Sequence, residues 1–184
     1  MKRLKSLAIN LLLLSSVSFI ISGCSMKVPS TYKPSSTMSV KGSMKVGTFR
    51  YLQAEKDNEL ALNQIKENGI GDIFLDKNIN TLFQEALFTE ARFVGINLED
   101  SKNIITGDII ELNEDYVNWN ILKVNWDLTV NYIVKKDDKI CYSKMQTINW
   151  ETTKTSFQQD MVANVIKQNI EKLFSDKEFV NCIK

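Results

Sequence analysis

From Leu122 to Val134 every even position is apolar: Leu122, Val124, Trp126, Leu128, Val130, Tyr132 and Val134. The odd positions are Lys123, Asn125, Asp127, Thr129, Asn131 and Ile133, with Lys135 beyond. A strand sends successive side chains to opposite faces, so period two over this length defines a long strand with one dry face and one wet face. Antiparallel sheets carry such alternation, whereas parallel strands covered on both faces do not. The chain must therefore build an antiparallel sheet, and other elements must cover its dry side.

The flanking sequence supplies both partners and cover. Lys136-Asp137-Asp138-Lys139 is a polar break suited to a hairpin, and Ile140–Trp150 returns as the next strand. Ile104–Tyr116 precedes as another strand. Met38–Leu52 is strand-like too, but Val40, Met44 and Val46 share one parity and Phe49 and Tyr51 the other. A β-bulge at Gly47 accounts for the change of phase. Gln53–Gly71 is charged and asparagine-rich and reads as a loop or excursion, and Ile73-Phe74-Leu75 as a brief strand.

Two stretches have helical period. Between Asp76 and Gly95, the residues Ile79, Leu82, Phe83, Ala86, Leu87 and Phe93/Val94 form one stripe, with Lys77, Gln84, Glu85 and Glu90 off it. Asp76 or Asn78 can cap its start, and Gly95 can supply the left-handed stop. After Ser156 and Gln159, which have capping-box spacing, Phe157, Met161, Val162, Val165, Ile166, Ile170, Leu173 and Phe174 form the second stripe. The tail Asp176–Lys184 carries Phe179, Val180 and Cys182, enough to lie back on the sheet. The expected fold is α+β, an antiparallel meander with two amphipathic helices on one face, in the order β-α-β-β-β-α.

The N-terminus has a separate logic. Lys2, Arg3 and Lys5 precede an apolar run from Leu7 to Ile21, interrupted by Asn10 and by serines at 15, 16 and 18. It falls short of the about 20 apolar residues a membrane span needs and reads as a signal-peptide core. It ends on Ile21-Ser22-Gly23-Cys24, which resembles the lipobox of bacterial lipoproteins: an aliphatic residue, two small residues, then cysteine. The resemblance implies a diacylglycerol on Cys24 and cleavage between Gly23 and Cys24. Residues 1–23 are then a signal peptide, 24–37 a lipidated tether carrying both prolines, and 38–184 a single domain. Ser25 is not the aspartate that resembles an inner-membrane retention signal. The expected location is therefore the outer membrane, lipid-anchored and facing the periplasm.

Composition excludes several chemistries. There is no histidine, which removes the commonest general base and metal ligand, and with them Ser/His, Cys/His and Cys/His-zinc sites. The signal peptide takes three basic residues and no acid, leaving 20 Lys and Arg against 22 Asp and Glu, a net charge of −2. Nucleic-acid binding needs a concentrated basic face and is not expected. With Cys24 carrying lipid, Cys141 and Cys182 remain. In an oxidising compartment an even remainder suggests a disulfide, the alternative being two separate buried thiols. Glu111, Glu114 and Asp115, and again Asp72 and Asp76, cluster loosely, but match no calcium loop. Trp126 lies on the dry parity and reads as core. Trp119 and Trp150 lie near strand ends, where exposure would make them a contact surface. No phosphate loop or nucleophile motif is present, no cofactor is implied beyond the lipid on Cys24, and the chain does not read as an enzyme.

The mature part also resembles the YajG-type and related transport-auxiliary lipoproteins of the bacterial envelope. The likeness rests on the strand Lys45–Tyr51, on a helix closing Phe93-Val94-Gly95, and on Ile105-Thr106-Gly107-Asp108-Ile109 entering a long meander. It transfers no catalytic residue and implies an accessory role. The expected function is a non-catalytic, lipid-anchored accessory or scaffold component of an envelope assembly or transport system. Its partners would be the membrane, through the anchor, and an envelope protein. The alternative is a lipid- or glycan-binding lipoprotein with a pocket between sheet and helices. Cys24→Ala should abolish fatty-acid labelling and leave the precursor uncleaved; persistent labelling would refute the lipidation.

Overall fold

The computed structural model describes residues 26–68, 73–99, 102–118, 123–153 and 158–184. In chain order the strands are β1 (Met26–Val28), β2 (Lys45–Tyr51), β3 (Gln64–Asn68), β4 (Ile73–Leu75), β5 (Asn103–Asn118), β6 (Lys123–Lys136) and β7 (Lys139–Thr153). The helices are α1 (Leu52–Lys56), α2 (Ile79–Phe93), α3 (Gln158–Ser175) and α4 (Lys177–Cys182). The α+β class is as expected, and β5, β6 and β7 form the antiparallel meander. Across β6, Val124, Trp126, Leu128, Val130, Tyr132 and Val134 are all fully buried. The β6–β7 hairpin closes through Asp137 and Asp138, both at positive φ (47° and 62°), as a primed two-residue turn requires.

Beyond the meander the pairing is mixed, where the sequence suggested only antiparallel pairing. β2 and β3 both lie parallel to β5, one after the other along the same edge: Lys45–Tyr51 beside Ile104–Ile109, then Lys66–Asn68 beside Asn113–Asp115. Gln53–Gly71, expected as a loop or excursion, is an excursion over its described residues, one that carries two elements of its own. It leaves the edge as α1 and rejoins it as β3. The gap is closed by one side chain. Gln53 Oε1 accepts from the Leu112 amide at 2.8 Å and from the Tyr51 hydroxyl at 3.0 Å, while its Nε2 donates to Asn113 Oδ1 at 2.6 Å. β4 pairs antiparallel with β3, and β1 adds parallel to β4.

The helices cover one face. Phe49, Phe83 and Tyr132, from β2, α2 and β6, meet with ring centroids 5.3–6.1 Å apart. From α3 the fully buried Asn169 receives the Tyr132 hydroxyl at 2.7 Å and donates to the carbonyls of Leu128 and Gln146, tying the helix to two strands. Gly95, at φ +97°, ends α2 as expected. Of the paired residues at that end, Val94 is buried and Phe93 exposed.

The tail forms α4, whose Phe179 and Ile183 are buried. Cys182 forms a disulfide with Cys141, with Cα atoms 5.7 Å apart. Cys141 sits where the β6–β7 register slips, so the bridge uses a bulged residue of the edge strand. Closing a loop of 41 residues contributes about 4 kcal/mol in the chain-entropy model. Beside it Tyr142 donates to Asp176, the residue whose side chain caps α4. Burial, with the Asp176 carboxylate next to it, pushes the Tyr142 hydroxyl up to about 12.

The bulge expected at Gly47 appears as a register shift between Val46 and Phe49. Further along β5, Gly107 admits the Phe49 ring: a Cβ there would stand 2.7 Å from that ring and 2.6 Å from the Asn131 carbonyl oxygen. Gly107→Ala should destabilise the fold by about 1–3 kcal/mol, as overpacking does. Chemical denaturation would check it; an unchanged midpoint would refute the seat.

Candidate functional site

The described residues from Met26 onward do not form a free tether. Residues 26–37, expected as a tether, are built into the domain, with Met26–Val28 as β1. β1 begins at Met26, and Val28 is buried beside β4. Ser30, Ser36, Val40 and Met44 are buried as well, a polar-apolar series without period. From β1 the leader runs along α2 and α3 to the far end of the sheet. There the Val40 amide donates to the Val94 carbonyl at 3.0 Å and the Met44 amide to the Asn97 carbonyl at 2.9 Å.

Two carboxylates on either end of α2 hold this segment. Asp76, just ahead of the helix, accepts from the Ser30 amide at 2.8 Å and from the Ser30 hydroxyl. Those two bonds, with Lys77 nearby, hold its carboxyl below the usual range, so it is ionised at neutral pH. Asp76 therefore does not cap α2. Asn78 occupies the cap position, with no side-chain cap bond.

Glu90 holds the second point. It was expected on the wet side of α2, and it is fully buried. The reason is the leader, which supplies the partners a buried carboxylate requires. The Ser36 amide donates to Oε1 at 2.7 Å, the Ser35 amide to the same oxygen at 3.3 Å, and the Tyr32 hydroxyl to Oε2 at 3.0 Å. Burial and the Glu90 charge drive the Tyr32 hydroxyl well above its ordinary range, so it stays a donor. From α3, Lys167 Nζ donates to the Ser35 carbonyl at 3.2 Å. Beneath the leader a cavity of about 10 Å³, lined by Ser30, Tyr32, Leu75, Leu82 and Val162, has room for about one water.

Cys24, Gly23 and Trp119 lie outside the described residues, as does Asp72. Trp126 is core. Trp150 pairs across from it and is half-buried against that core. The acidic residues of β5 are dispersed rather than paired: Glu114 points inward and is fully buried, and Glu111 accepts from Asn113. Among the described residues no helix is long and apolar enough to cross a membrane. Two open clefts of about 500 and 320 Å³ meet at the half-exposed Phe88, on the outer side of α2 rather than between the layers.

No family model and no curated protein matches the sequence. Solved structures match in shape. A protein of the family DUF330 from Xanthomonas campestris superimposes with a TM-score of 0.53 at 11% identity, covering 82% of this chain and 91% of that one. A hypothetical protein from Chlamydia trachomatis gives 0.44 at 10% identity, over 77% and 95%. A minor lipoprotein from Acinetobacter baumannii gives 0.39 at 13%, over 75% and 91%. At such identity the first shows a shared fold and transfers no chemistry.

Sequence reasoning missed Glu90 and Asp76 as leader-binding residues. The available signal was Glu90 itself, a lone acid between apolar Leu87 and Ala91 on the core-facing side of α2. Glu90→Ala should lower the free energy of leader opening by about 1–3 kcal/mol. The Ser36 amide should then exchange with solvent about 10- to 100-fold faster, since each 1.4 kcal/mol is about tenfold. Amides of β6 should keep their rates; unchanged protection at Ser36 would refute the clamp.

Proposed function

We propose that this chain is a lipid-anchored, non-catalytic accessory or scaffold component of a bacterial envelope assembly or transport system, attached to the outer membrane through Cys24 and facing the periplasm. The observation that carries the reading is the docked leader. Ser30 and Ser36, six and twelve residues after Cys24, are fixed to the fold by Asp76 and Glu90, which would couple a lipid on Cys24 closely to the domain. Two further points support it. The charge, apolar run and small-residue site of a lipoprotein signal occur in order. The buried Asn169 and the half-buried Gln53 join elements to one another rather than converging on a cleft.

The runner-up, a lipid- or glycan-binding protein, has less support. The space between sheet and helices around Phe49, Phe83 and Tyr132 is filled by their rings, and the clefts at Phe88 lie outside that layer.

The test is photo-crosslinking from the intact lipoprotein in its native membranes, with probes on exposed positions of β7 such as Met145. The expected result is recovery of the components of one envelope complex, lost when Cys24→Ala leaves the precursor unprocessed. Turnover in an esterase or glycosidase screen, abolished by Glu111→Gln or Asp115→Asn, would overturn the proposal. So would a specific lipid that copurifies with the native protein and is lost in Phe88→Asp.

A further inference from the structure

The docked leader fixes which side of the domain meets the membrane. Residue 24 is two residues from Met26, the first residue of β1. An extended chain spans at most about 3.6 Å per residue, so a lipid on Cys24 lies within about 7 Å of the end of β1. β1 is not a loose end. Its Met26 pairs with Ile73 of β4, and Ile73 pairs with Ile65 of β3. Neighbouring strands stand about 4.8 Å apart, which places exposed Lys66 within roughly 20 Å of the anchor.

Strand direction then orients the remainder. β1 and β4 run away from the anchor, and α2 continues in that direction to Gly95. β3 and β5 run toward it, so the start of β5, the β6–β7 hairpin and the Cys141–Cys182 bridge lie at the opposite end. Lys66 pairs with Asn113, Asn113 with Asp127, and the hairpin tip follows Lys136, nine residues beyond Asp127 and about 30 Å along the strand.

The geometry points to the β1–β4–β3 corner as a membrane-facing surface whose occupant is the lipid bilayer itself, held there by the Asp76 and Glu90 clamps. This rests on the lipidation of Cys24 proposed above. If the leader detached as far as Lys41, the linker would reach up to about 60 Å, and the domain would stand off with no fixed face. The two carboxylates therefore choose between a domain seated on the bilayer and one tethered above it.

The experiment uses the full-length lipoprotein, processed in cells and reconstituted into phosphatidylethanolamine/phosphatidylglycerol vesicles containing spin-labelled headgroups. One fluorophore is placed at a time, through Lys66→Cys or Asp138→Cys. The expected result is strong quenching at position 66 and little at 138. A Gly/Ser insert of about 20 residues between Ser25 and Met26, with an r.m.s. length of about 25 Å, leaves the clamps intact and should reduce quenching at 66 toward the level at 138. Asp76→Ala combined with Glu90→Ala should act like the insert. Vesicle binding with equal quenching at both positions in the unaltered protein would overturn the seated orientation while leaving the lipidation standing. Absence of fatty acid on the N-terminal peptide, with no vesicle binding, would overturn the lipidation and the orientation with it.

Discussion

Burial of one face of β6 is the constraint on which the remaining architecture depends. Six alternate side chains from Val124 to Val134 are removed from water together. Each large apolar side chain contributes about 1.5–3 kcal/mol on burial, but only if some element covers that face. α3 does so, and Asn169 fixes its placement by bonding Tyr132 and two strand carbonyls at once. A helix held by apolar contacts alone could slide along the groove. A buried amide with three directional partners permits one register.

The opposite edge of the meander solves a different problem. β5 spans Asn103–Asn118 and needs an edge partner of similar length, yet the chain offers two short strands with an interruption between them. A break in a ladder leaves a backbone donor without its partner, at a cost of about 1–3 kcal/mol. Gln53 supplies the missing acceptor to Leu112 from the first turn of α1. The same side chain takes the Tyr51 hydroxyl, so the point where the chain leaves the edge is also where the gap is closed. Parallel pairing follows from this route, since β2 and β3 travel the same way as β5.

Much of this was legible in the residues because periodicity reports burial. The strands from Ile104 to Trp150, the helix stopped by Gly95, the bulge after Val46 and the Cys141–Cys182 pair were all readable. What escaped reading lacks period. β3 is five residues long and charged, QIKEN, and only Ile65 is fully buried among its described side chains. Its strand character comes from β5 and β4 on either side, which no local pattern encodes. Trp150 was ambiguous for a similar reason: its parity is that of the core, but it lies near the end of an edge strand, where burial is only partial.

The leader is the sharpest such case, and it shows why composition misled. Serines, threonines and two prolines without apolar period describe a chain that cannot bury itself. Docking does not ask it to. Val28 and Val40 supply apolar anchors at two separated points, and between them the bonds come from Asp76 and Glu90, 46 and 54 residues further along the chain from Ser30 and Ser36. Proline suits such a segment, because an extended strap offers few backbone donors to its neighbours and loses less entropy on being fixed. The cost of burying Glu90 is met only while Tyr32 and Ser36 are in place, and the middle of the leader takes its bonds from Glu90. Each makes the other tenable. A buried acid on a helix and a polar segment near the N-terminus are thus two halves of one device, and neither is intelligible from its own stretch of sequence.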